Sequence, residues 1–130
     1  MEDDLSPRPS LDRDDDVDVA IVGGGYTGLW TAYYLAHADP GLRIAIVEAE
    51  IAGFGASGRN GGWCSALFAS ESDSIAKRHG KQAAIAMKRA MVDTVDEVGK
   101  VAADEGIDAR FAKGGTLTLA TRLAHVPQLR

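Results

Sequence analysis

Gly23, Gly25 and Gly28 recur at the G-x-G-x-x-G spacing in the run Gly23-Gly24-Gly25-Tyr26-Thr27-Gly28. Each has a separate physical task when a chain turns sharply around a pyrophosphate. The first permits the tight turn, the second lets the backbone approach the phosphates, and the third allows a helix to pack closely on a strand. Backbone N–H groups at the helix start, together with the helix dipole, then favour the phosphate charge. Glu48 lies 20 residues beyond Gly28, the distance at which a carboxylate can accept hydrogen bonds from adenosine ribose hydroxyls. A carboxylate in that place disfavours a 2′-phosphate. A second cluster is the run Gly53-Phe54-Gly55-Ala56-Ser57-Gly58-Arg59-Asn60-Gly61-Gly62. Flexible backbone donors with one guanidinium and one amide suit a buried anion and a polar ring edge. An alternative for Arg59 is an ion pair with a carboxylate such as Glu50.

These residues need a strand before the glycines, a helix after them and a second strand ending at the acid. Val17 to Val22 is a short apolar run rich in β-branched residues, interrupted by Asp18, and reads as a strand buried on both faces of a parallel sheet. Leu29, Ala32, Leu35 and Ala36 recur at helical spacing, predicting a helix from Tyr26 to Ala38 that Asp39-Pro40-Gly41 stops. Leu42 to Val47 is the second strand. Ala49 to Ser70 is small, glycine-rich and aperiodic, a functional loop with room for one helical turn. Ala84, Met87, Met91, Val95, Val98 and Ala102 step by three or four, predicting a long amphipathic helix over 81–105 with Gly106 as its stop. Thr116 to Ala120 alternates Thr with Leu, unlike the first two runs, and reads as a strand of a different sheet.

Composition narrows the partners. Of the net charge of −5, all resides in residues 1–16, where seven acids face Arg8 and Arg13; the remaining body is neutral. A neutral body offers no basic field for nucleic acid or anionic lipid. The acidic start lacks both the positive and the apolar region of a signal peptide, and no apolar run reaches membrane-spanning length, which predicts a cytoplasmic protein with a disordered leader. Cys64 is the single cysteine, so an internal disulfide and a multi-cysteine metal site are excluded, and no metal is expected. Cys64 is expected to be a small buried residue. His37 reads as a helix-end residue, and His79 and His125 as surface histidines. The glycine fingerprint alone serves FAD and NAD alike. Three readings therefore stand: a flavin enzyme, an NAD-dependent oxidoreductase, and a dinucleotide-binding module without catalysis.

From Val17 to Ala120, and most closely in Glu48-Ala49-Glu50 and the Gly53 to Gly62 run, the sequence resembles the D-amino-acid oxidase-like FAD-dependent oxidoreductases. Within these it is most similar to the gamma-glutamylputrescine oxidase, glycine oxidase and sarcosine oxidase types. The resemblance implies a partial α/β, Rossmann-like βαβ FAD-binding domain followed by the first strand of an antiparallel substrate domain. It implies noncovalent FAD, with Gly23, Gly25, Tyr26, Thr27 and Gly28 at the phosphate turn and Glu48 and Ala49 at the ribose. Ser57, Arg59, Asn60, Gly61 and Gly62 would line the cofactor toward its isoalloxazine edge. It further implies oxidation of an amine or amino acid at its CH–NH bond by hydride transfer to flavin, with a small-molecule amine as substrate. The expected organisation is a leader over 1–16, an N-terminal part of the FAD domain over 17–108 and the start of a substrate domain over 109–130. On this reading the sequence is an N-terminal portion, inactive by itself, and the catalytic residues lie beyond it.

Overall fold

The computed structural model describes residues 5–125. The chain divides into two compact units, residues 1–63 and 64–130. This division falls inside the 17–108 span expected to belong to one domain.

The first unit holds strand β1 (Val19–Val22), helix α1 (Tyr26–Ala38) and strand β2 (Ile44–Val47), with a 3-10 turn at Ala56–Gly58. β1 and β2 pair in parallel, Val19 opposite Ile44 and Val22 opposite Val47, as two β-branched runs joined by a helical crossover should. Each strand begins two residues later than its apolar run predicts. Asp18 explains where pairing starts. Its carboxylate takes the Arg43 backbone N–H at 2.9 Å and the Arg43 guanidinium through Nε at 3.2 Å and Nη2 at 3.1 Å. Arg43 also donates through Nη1 to the Asp16 carbonyl at 2.8 Å. This exposed fork fastens the two strand entrances and holds Asp18 below the ordinary aspartate range, chiefly through the side-chain hydrogen bonds from Arg43.

α1 has the bounds its periodicity predicts. It ends where Asp39 bends the chain, Gly41 donating to Asp39 Oδ1 at 3.0 Å, an Asx turn. Val19 and Ile21 are half-buried beneath α1, while Ala20 and Val22 point away. The doubly buried strand expected at β1 is not found, since Val22 is 88% exposed. The reason is that α1 is the one α-helix on this sheet among the described residues, so only one face is covered.

The second unit holds helices α2 (Ser72–His79) and α3 (Lys81–Asp104), which pack together. Gly80, at φ +88°, is the single residue between them, a conformation that glycine adopts without the Cβ penalty. α3 buries Ala84, Val101 and Ala102. Gly106, at φ +64°, ends it as expected, with the Ile107 N–H donating to the Ala102 carbonyl at 2.8 Å and the Gly106 N–H to Ala103 at 3.2 Å. That pair of bonds is the Schellman arrangement. The Phe111 ring lies against Gly99 of α3, and Lys113 pairs with Asp96. The strand expected at Thr116–Ala120 does not form: Leu117 and Leu119 are 84% and 71% exposed. Alternation alone makes no strand without a neighbouring backbone to pair with, and none lies beside this segment among the described residues.

Candidate functional site

The glycine turn sits between β1 and α1. Gly23 continues the β ladder by donating to the Val47 carbonyl at 2.8 Å, then turns at φ +104°. A Cβ on Gly28 would lie 2.1 Å from the Gly23 carbonyl oxygen and 3.2 Å from Ile21 Cγ2. The third glycine therefore lets α1 close onto β1, as its place in the motif predicts. α1 starts without a side-chain cap from Gly25, which leaves the positive end of the helix to groups from elsewhere.

Those groups come from the segment after β2. Ser57 Oγ accepts the Tyr26 backbone N–H at 3.0 Å and lies 3.0 Å from where a Cβ on Gly25 would stand. The niche opened by the second glycine thus holds a hydroxyl oxygen. Glu48 Oε2 accepts the Gly24 N–H at 2.7 Å, and Oε1 accepts the Glu50 N–H at 3.3 Å. These backbone donors, Gly24 first, then Glu50 and to a smaller extent Ala49, hold the Glu48 carboxyl below its ordinary range, while desolvation opposes them. Gly24 in turn accepts at its carbonyl from Gly53 N–H at 2.8 Å.

Asn60 organises the rest of the loop. Its Nδ2 donates to the Ser57 carbonyl at 2.6 Å, the Ala56 carbonyl at 3.3 Å and the Tyr26 hydroxyl at 3.1 Å. Its Oδ1 accepts the Gly62 N–H at 2.8 Å, with Gly62 at φ +66°. A Cβ on Gly58 would lie 2.3 Å from the Gly53 carbonyl oxygen, so this loop too is closed on glycine.

The structure therefore gathers Gly23, Gly25, Tyr26, Gly28, Glu48, Ser57 and Asn60 into one connected patch. Ala49 adjoins it through its N–H toward Glu48, and Gly62 through Asn60. Thr27 is exposed, its carbonyl taken by the Thr31 hydroxyl at 2.7 Å. Gly61 is exposed, with open space where a side chain would stand. Arg59 lies with its guanidinium 4.4 Å from the Phe54 ring centroid, a cation–π contact, rather than pairing with Glu50. Gly24, Gly53 and the Tyr26 hydroxyl are the participants that motif spacing did not single out. Cys64, expected to be buried, is exposed, because the segment after Gly62 forms no packed element around it. Among the described residues no helix is long and apolar enough to cross a membrane. Chemically, the patch offers backbone donors and a helix N-terminus to an anion, and an ionised carboxylate to hydroxyl donors.

Residues 18–130 match the family model described as FAD dependent oxidoreductase, DAO. The chain is similar to the gamma-glutamylputrescine oxidoreductase of Escherichia coli (strain K12), with 36% identity over 110 residues, covering 85% of this chain and 25% of that protein. It is similar to the "Probable oxidoreductase OrdL" of Haemophilus influenzae, with 31% identity over 115 residues, 88% of this chain and 26% of the relative. A shorter likeness, 49% over 57 residues, joins it to the thiamine thiazole synthase of Emericella nidulans, over 44% of this chain and 17% of that one. The chain thus spans about a quarter of the length of the two oxidoreductases it matches. No solved structure matches.

Proposed function

Because the chain belongs to the FAD dependent oxidoreductase family, DAO, we propose that it holds the adenosine diphosphate half of FAD in an enzyme that oxidises an amine or amino acid at its CH–NH bond. The family implies FAD as cofactor, which speaks against the NAD-dependent reading of the glycine fingerprint, and its oxidoreductase character supports catalysis over a binding module. The observation that supports the proposal is the Glu48 carboxylate accepting the Gly24 N–H at 2.7 Å beside the mouth of α1, an acid next to a helix N-terminus, as a dinucleotide's ribose and phosphates would need.

The residues fit the group. The positive φ at Gly23 makes the sharp turn and the close contact at Gly28 seats α1 on β1, so the helix N-terminus faces the turn, where a diphosphate suits the helix dipole. Gly23, Gly25, Tyr26, Thr27 and Gly28 would face the pyrophosphate, and Glu48 with Ala49 the ribose. Ser57, Arg59, Asn60, Gly61 and Gly62 would continue along the cofactor, held without a covalent bond. When bound, FAD supplies the acceptor for the hydride leaving the amine-bearing carbon, which yields an imine that water hydrolyses. The chain's own residues bind and orient: Glu48 would accept hydrogen bonds from the ribose hydroxyls, and the Ser57 and Asn60 contacts keep the loop folded against α1. A small-molecule amine as substrate is supported by the likeness to gamma-glutamylputrescine oxidoreductase. A cytoplasmic location and a substrate domain beginning near residue 109 belong to the same proposal.

Anaerobic mixing of the complete protein with gamma-glutamylputrescine, and with other primary amines as alternatives, tests the reaction. Bleaching of the flavin absorption is expected with at least one amine. Persistent oxidised flavin with every amine, but rapid bleaching by a hydroxy acid, would refute the amine assignment.

A further inference from the structure

We propose that Glu48 is a positioning residue for the phosphate turn, its Oε2 holding the Gly24 N–H so that the turn keeps its shape before any dinucleotide arrives. The role of Oε2 stands on the fold alone, whereas the role of Oε1 toward a ribose rests on the FAD-binding function. Gly24 is a variable position of the fingerprint, yet it is held on both sides. It is buried, and both its backbone polar groups are taken by the segment after β2: the N–H by Glu48 at 2.7 Å and the carbonyl by Gly53 N–H at 2.8 Å. A Cβ on Gly24 would meet Glu48 Cβ, Glu48 Oε2 and Ala52 Cα, each at 3.4 Å, so backbone and carboxylate are already in contact. The bond to a carboxylate is charge-assisted and stronger than one between neutral partners.

A second consequence concerns the other oxygen. With Oε2 fixed on Gly24, Glu48 cannot rotate freely, and Oε1, whose bond from the Glu50 N–H is longer at 3.3 Å, is set in advance for a hydroxyl donor. Ordering done before binding lowers the cost of binding. One carboxylate then shapes the turn with one oxygen and receives the ribose with the other.

Amide hydrogen exchange at Gly24 in the complete, flavin-free protein tests this, with exchange in the last two turns of α1, in the same compact unit, as the control for an intact fold. In E48A the Gly24 amide is expected to exchange about tenfold faster. E48Q is expected to restore slow exchange, because its amide oxygen can still accept the Gly24 N–H, and yet to bind FAD about tenfold more weakly, because the NH2 group cannot accept a hydroxyl proton. Should E48A lose protection in α1 as well, E48D serves instead; it keeps the charge but is one methylene shorter, and faster exchange at Gly24 alone is expected. Gly24 exchange unchanged from wild type in the folded variant would overturn the proposal. Unchanged FAD affinity in E48Q would instead overturn the ribose assignment and leave the turn-holding role standing, so the two failures are distinguishable.

Discussion

At Gly28 a methyl group would stand 2.1 Å from the Gly23 carbonyl oxygen, and relief requires α1 to move away from β1. Gly28→Ala is therefore expected to cost about 3 kcal/mol, the upper part of the range for overpacking, read as a lower urea midpoint with unchanged slope. Ser57→Ala acts differently, removing the acceptor at the Tyr26 N–H without adding bulk. Faster exchange at that amide, by about fivefold for a neutral hydrogen bond, is expected in flavin-free protein; identical exchange would mean that Ser57 does not cap α1. The glycine fingerprint and its acid were legible because their tasks are local and fixed by spacing. Gly24, Asp18 and the Tyr26 hydroxyl were not. Their partners Glu48, Arg43 and Asn60 lie 24, 25 and 34 residues away in sequence, and no periodicity encodes a contact of that kind. Arg59 shows the same limit, since its stacking on Phe54 depends on how the loop folds.

Among the elements, β1 and β2 are joined at their entrances by the Asp18–Arg43 fork. The Asp18 carboxyl titrates below its ordinary value of 3.8. Its contribution to pairing is thus fully present above that pH and is lost as pH falls through the lowered value. Because both side chains are exposed, the effect is small and screened by salt. Thermal midpoints from pH 6 to pH 2 should fall more steeply in the wild type than in D18N; parallel curves would mean that Asp18 does not fasten the strands. α3 was read from its period, which repeats over several turns, and α1 from a shorter repeat bounded by the glycine turn and the Asp39-Pro40-Gly41 stop. α2 escaped because it is eight residues long and largely polar. Its signal was electrostatic: Asp73 in the first turn and Lys77, Arg78 and His79 in the last, the polarity that complements a helix dipole. The strand read at Thr116–Ala120 failed for the converse reason, as its pattern was present but its partner was not.

For the whole molecule, the described residues bury few apolar side chains: Ala84, Val101 and Ala102 are the buried hydrophobics, while Val22, Trp63, Leu67, Leu117 and Leu119 are each more than two-thirds exposed. Burial of that extent offsets little of the entropy of ordering a chain. The 130-residue chain in isolation is therefore expected to melt broadly and to bind a hydrophobic dye; a sharp transition without dye binding would contradict this. Above all, the βαβ turn and the loop after it are assigned to FAD. Fluorescence titration of the complete, flavin-free protein with FAD, run in parallel for wild type and Gly28→Ala and with NADH and NADPH as competitors, addresses that assignment without intermediaries. Saturable FAD binding is expected in the wild type, lost in Gly28→Ala and untouched by either nicotinamide dinucleotide. Absence of FAD binding, with saturable binding of NADH in its place, would contradict it.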